Sequence, residues 1–193
     1  MLTQIFTGVY QTIRLWPESW ASTATYSVGD IIKPSTSSTS YTSCTYLVTT
    51  AGSTDGTEPT WPTTLNSTIS SGTVIFTTKD TKTYNIEAPQ TASLPYVVFG
   101  HNTSIPIGDF ANFDTIENST FWVNCFSNRS VADVTEIADE VLTVLDSATL
   151  SITGYMNLKT QHEFIGNPIP NYTDNAFIAW QIPLRIRILN NKT

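Results

Sequence analysis

L-T-Q-I-F-T-G-V-Y-Q-T-I-R-L-W-P, residues 2–17, carries apolar side chains at Leu2, Ile5, Phe6, Val9 and Ile13. This spacing predicts a helix with one apolar stripe. Pro17 stops the helix, because the residue before a proline avoids the α region. Such a stripe needs a hydrophobic surface to cover. The residues that come next do not offer one, so the helix must pack on something further along the chain.

From 18 to 81 the texture is Ser, Thr and Gly. Runs such as S-T-S-S-T-S-Y-T-S (35–43) cannot sustain a helix. Short β-prone pieces at 30–33, 41–50 and 73–78 are separated by the turn signals Gly29-Asp30, Asp55-Gly56 and Ser71-Gly72. The segment reads as a small all-β module. Trp20, Tyr26, Tyr41, Tyr46, Trp61 and Phe76 supply most of its core. A module this small buries little, so each ring counts.

Past Thr83 the pattern changes again. L-P-Y-V-V-F-G (94–100) reads as a strand. In 115–127, Phe121, Val123 and Cys125 face one way and Trp122 and Phe126 the other, which predicts a strand covered on both faces. Residues 131–145 form the clearest helix, with Val131, Val134, Ile137, Ala138, Val141, Leu142 and Leu145 on one face. Ser130 can cap it, with Asp133 three residues on. Strands follow at 155–164 and 176–188. In the second, Ile178, Trp180, Ile182, Leu184, Ile186 and Ile188 share one side, and Phe177, Gln181, Arg185 and Arg187 the other. The fold class is therefore α+β: an antiparallel sheet flanked by two helices, with an inserted small all-β domain. Residues 1–17 and 82–193 make the main domain, and 18–81 the insertion.

Composition narrows the function. The chain has 193 residues, 40% of them apolar and only 13% charged, with a net charge of −7. Its 11% aromatic content argues against disorder. Nonspecific nucleic-acid binding needs clustered Lys and Arg, and the nine here are scattered. Cys44 and Cys125 fall in different domains, so no disulfide is expected, which fits a reducing compartment. No apolar run is long enough to cross a bilayer, and no signal peptide is visible. The expected product is a soluble protein made in a cytoplasm.

Catalytic chemistry is not expected. No G-x-S-x-G or phosphate-cradling glycine motif occurs, and two cysteines and two separated histidines do not make a zinc site. His162 reads as an interior strand residue and His101 as a turn residue. No catalytic residue, metal or cofactor is assigned. Asp133, Glu136 and Glu140 line the outer face of the second helix. Arg185 and Arg187 share a face of the last strand. These five are candidates for an interface in which one subunit's arginines meet a neighbour's acids.

Two resemblances rest on quoted residues. Y-N-I-E-A-P-Q-T-A-S-L-P-Y-V-V-F-G (84–100), followed by F-W-V-N-C-F-S-N-R-S-V-A-D-V-T-E-I-A-D-E-V-L (121–142) and I-T-G-Y (152–155), resembles the tail-terminator, or tail-completion, proteins of long-tailed bacteriophages. It covers 2–16 and about 83–190. Y-S-V-G-D-I-I-K-P (26–34), E-P-T-W-P (58–62) and S-G-T-V-I-F (71–76) resemble a small carbohydrate-binding-module-like β-domain of phage structural proteins. Here Ser71 and Phe76 stand where that pattern has Asp and Trp.

The first resemblance implies a structural virion protein of the tail and neck, assembled in the host cytoplasm. It implies a homo-oligomeric, hexameric ring that ends the tail tube at its head-proximal side and docks to neck or head-completion proteins. DNA would pass through without specific binding, which the acidic balance suits. No membrane partner is implied. The second implies glycan binding through Trp20, Tyr26 or Trp61, and hence an alternative role as a surface-binding accessory protein of the virion. Another neck or tube component of similar fold is the third reading.

Overall fold

The structure is a computed structural model and describes residues 2–35, 44–108, 116–146, 148–174 and 176–192. Tyr41, most of the Ser/Thr run and Thr115 lie outside the described residues. The chain divides into two compact units, one of residues 1–16 with 83–193 and one of 17–82.

In chain order the described elements begin with α1 (Leu2–Ile13). There follow β1 (Glu18–Ser19), β2 (Thr25–Tyr26), β3 (Ile31–Lys33), β4 (Thr45–Thr50), β5 (Gly52–Ser53), β6 (Thr68–Ser71) and β7 (Val74–Lys79). Next come β8 (Thr83–Asn85), β9 (Tyr96–Ile107), β10 (Ile116–Ser127) and α2 (Val131–Asp146). The chain ends with β11 (Ser151–Ile152), β12 (Tyr155–Ile165), β13 (Ile169–Thr173) and β14 (Ala176–Lys192). Two helices, with strand making up half of the described residues, give an α+β arrangement.

The smaller unit is built on a sheet ordered β1-β3-β4-β7-β6, with β2 and β5 paired separately. Its core holds Trp20, Tyr26, Ile32, Tyr46, Val48, Trp61, Val74 and Phe76. The β6–β7 turn needs its glycine: Gly72 has φ +59°, and a Cβ there would lie 2.3 Å from the Ser53 carbonyl oxygen. Asp55 closes this corner by accepting the Gly72 N–H at 2.7 Å.

The larger unit carries the order β11-β12-β14-β10-β9-β8, with β13 also on β14. It is antiparallel except at one edge, where β8 runs parallel to β9. That parallel edge departs from the all-antiparallel expectation. A chain that leaves β8 through the turn at 86–95 re-enters beside it in the same direction.

Register fixes the faces. Phe121 pairs with Ile186, Val123 with Leu184 and Cys125 with Ile182. On the other side Val123 pairs with Phe99, and Cys125 with Val97. All of these are at most 3% exposed. Both helices cover this face. Phe6 of α1 meets Phe121 edge-on at 5.4 Å and Phe99 at 6.2 Å. The stripe of α2, Val134, Ile137, Ala138, Val141, Leu142 and Leu145, is buried against β10, β12 and β14. The two-sided cover expected for β10 is therefore not built within this unit. Trp122, Asn124 and Phe126 on the opposite face are only partly buried.

Candidate interaction surfaces

The second face of the larger sheet has a distinct composition. Trp122 lies across from Gly100, where a Cβ would sit 2.3 Å from the indole, so only glycine lets the ring lie flat there. Arg185 pairs in register with Trp122 on one side and Phe164 on the other. Phe164 is 53% exposed. Lower down, Tyr96 packs against Phe126 at 5.2 Å and Tyr84 at 5.8 Å. The row Phe164–Arg185–Trp122 thus places a cation between two aromatic side chains on a surface the unit's helices leave open.

The interface candidates fare unequally. Arg187 is neutralised by Glu163 of its own chain. The Asp133 carboxylate accepts from Arg129 at 2.9 Å and from Ser127, while its backbone N–H donates to the capping Ser130 Oγ at 3.0 Å. Asp133 therefore secures the start of α2. Glu140 also has an interaction within the chain. Arg185 and Glu136 remain exposed, and among the described residues neither has a hydrogen-bond or ion-pair partner. Asp139, one turn beyond Glu136, is exposed too. Because α2 covers the Ile186 face and Arg185 projects from the other, the two free charges lie on opposite sides of one subunit.

The glycan candidates sit inside the smaller unit. Trp20, Tyr26 and Trp61 are 8%, 3% and 3% exposed. Stacking on a sugar needs a flat open ring, and none of these offers one. Trp61 lies 4.2 Å from Tyr46 and 5.3 Å from Phe76. Its indole N–H donates to Glu58 Oε1 at 2.8 Å. Glu58 also accepts the Ser35 N–H at 2.8 Å and the Ser35 hydroxyl at 2.5 Å. The E-P-T-W-P segment is thus a core clamp in which the acid serves the tryptophan.

Burial alone would raise the Glu58 carboxyl, but the bonds from Ser35 and Trp61 outweigh it and hold the group below its usual range. A carboxyl depressed on folding stabilises above its unfolded value, about 4.3, and loses that contribution as pH falls through the folded value. Glu58→Gln is expected to flatten the acid limb of the smaller unit's stability curve. Thermal melts of both proteins between about pH 2 and pH 6 measure it; parallel acid limbs would refute the clamp.

Both histidines depart from expectation. His162 is exposed, and pairs through Nδ1 with Asp146 at 2.5 Å, while its N–H also reaches Asp146 at 2.9 Å. In register it lies across from Ile186, and bulges at Asn157/Lys159 and His162/Phe164 interrupt the strand on either side of it. His101 lies in β9, not a turn, with its ring 5.2 Å from Phe121 and 6.0 Å from Phe6. Both cysteines are free and buried. Burial pushes both thiols up, most strongly at Cys125. Among the described residues no group of three or more His, Cys, Asp or Glu could hold a metal. No described helix is long and apolar enough to cross a membrane.

Comparison with known proteins adds little at the level of sequence. No protein-family model matches the chain. No curated protein matches it either. Among solved structures, it is similar to a chain in the virion of a native gene transfer agent particle, at 14% identity and TM-score 0.48. That likeness covers 57% of this chain and 78% of the other.

Proposed function

We propose that this chain is a structural virion protein, a ring subunit at the head-proximal end of a phage tail that terminates the tube and joins it to the neck. One observation carries the reading. The segments that bear the tail-terminator resemblance, 84–100 and 121–142, occupy consecutive elements of one compact unit, β8, β9, β10 and α2, with α1 packed on the same sheet face. Residues 17–82 leave that unit after α1 and return to it at β8, as an insertion would. The position in the tail, the ring and its six-fold count are what the resemblance implies, as are the tube and neck partners. The net charge of −7 suits a passage that DNA crosses without adhering.

Purified protein added to tail tubes is expected to appear in negative stain as a ring at one tube end, and to halt further growth. Co-polymerisation along the tube, or binding scattered over its outer wall, would overturn the reading in favour of a tube component or an accessory protein.

A further inference from the structure

We propose that Arg185, between Phe164 and Trp122, is the centre of a head-to-tail subunit contact whose other half is the Glu136–Asp139 face of α2 on a second copy of this chain. The inference rests on the ring reading above and supplies its contact.

Three observations carry it. First, the composition is that of an interface centre: Arg and Trp, flanked by an exposed Phe, are the residue types enriched where partners desolvate each other. Phe164, paired across from Arg185, is left 53% exposed by the described residues. Second, in-chain partners remove the other candidates. Arg187 has Glu163, Asp133 has Arg129, and Glu140 has its own interaction. Of the five candidates this leaves Arg185 on the open sheet face and Glu136 on the exposed side of α2, where Asp139 is exposed as well. Third, the complementary charges lie on opposite sides of a subunit. A patch that meets a different patch on the next copy makes a heterologous contact, which closes into a ring when the rotation per step allows. The occupant is therefore a copy of this chain. It presents a helix of matching charge and would give the sheet the second cover that β10 lacks.

Charge reversal in the full chain tests this. Arg185→Glu and Glu136→Arg should each weaken self-association more than about tenfold, because each sets like charges together in a desolvated contact. The double variant, with the pair swapped, should recover most of the loss. Association is read by sedimentation and native mass spectrometry over a concentration series, and by ring formation on tail tubes. Circular dichroism melts confirm that each variant is folded. Glu163→Arg serves as the in-chain control and should not be rescued by Arg185→Glu.

Single variants that associate like wild type would overturn the pairing, as would a double variant no better than the singles. A wild-type chain that stays monomeric both in solution and on tubes would also overturn it. A closed two-fold dimer would overturn the head-to-tail geometry. The two readings fail separately. Charge-dependent rings that ignore tube ends would remove the terminator function and leave this contact standing. Tube capping indifferent to both reversals would do the opposite.

Discussion

Trp61→Ala is expected to unfold residues 17–82 while the larger unit stays folded. Trp61 is 3% exposed and touches the rings of Tyr46 and Phe76. Truncating a buried aromatic to Ala costs about 3–5 kcal/mol. The change also takes from Glu58 a donor at 2.8 Å. A domain of this size rarely holds more than about 3–5 kcal/mol in all, so the loss consumes its stability. Limited proteolysis should then cut only between Pro17 and Lys82, leaving a fragment that starts near Thr83. Calorimetry should show one transition lost and one kept. An unchanged cleavage pattern would mean that the ring contributes less than its burial implies.

Ile5→Asp is expected to unfold the other unit. Ile5 is fully buried, with Val9 and Ile13 one and two turns along the same stripe at 1% and 0% exposure. Removing a buried Ile side chain costs about 2–5 kcal/mol. An unpaired carboxylate left in its place adds several kcal/mol more. Together these approach the total of about 5–15 kcal/mol typical of a domain. Gln11→Glu, on the exposed side of α1, should change stability by less than about 0.5 kcal/mol. Urea denaturation followed by Trp fluorescence and near-UV dichroism measures both. A wild-type midpoint for Ile5→Asp would show that α1 is dispensable to the sheet, and with it the premise that residues 1–16 belong to the same interior as 83–193.

Both helices were legible because periodicity is a local property. The stripe of α2 is buried from Val134 to Leu145. The same stripe misled at its first residue: Val131 is 42% exposed, and burial begins one turn later at Val134. In β14 the alternation placed Ile178 with Ile182, Leu184, Ile186 and Ile188. The last four are buried, while Ile178 is 45% exposed. The reason is the partner. β10 ends its pairing at Trp180, so Ile178 lies where the sheet has narrowed to β13 and β14. Beyond Gly100, β9 was not legible as strand at all. Its run of His, Asn, Thr and Ser is mostly exposed and broken by Pro106, and a strand open to solvent keeps no alternation to read.

The candidate interface was half legible in the same way. Sequence placed Arg185 beside Arg187 and Asp133 beside Glu136, as equals. It could not tell that Glu163 would neutralise one arginine and Arg129 one acid. Nor could it show Phe164 and Trp122 on either side of Arg185, because those three come together through cross-strand register.

From residues alone followed the two helices, the alternating strands, the aromatic stock of the small module and the places where its chain must turn. These depend on neighbours a few positions away, and backbone geometry enforces them locally. The fold decided which face of each strand lies under a helix, that Trp61 is core and not a sugar platform, and which charges remain free for a neighbour. Those outcomes are set by contacts between residues far apart in the chain, and no local pattern records them.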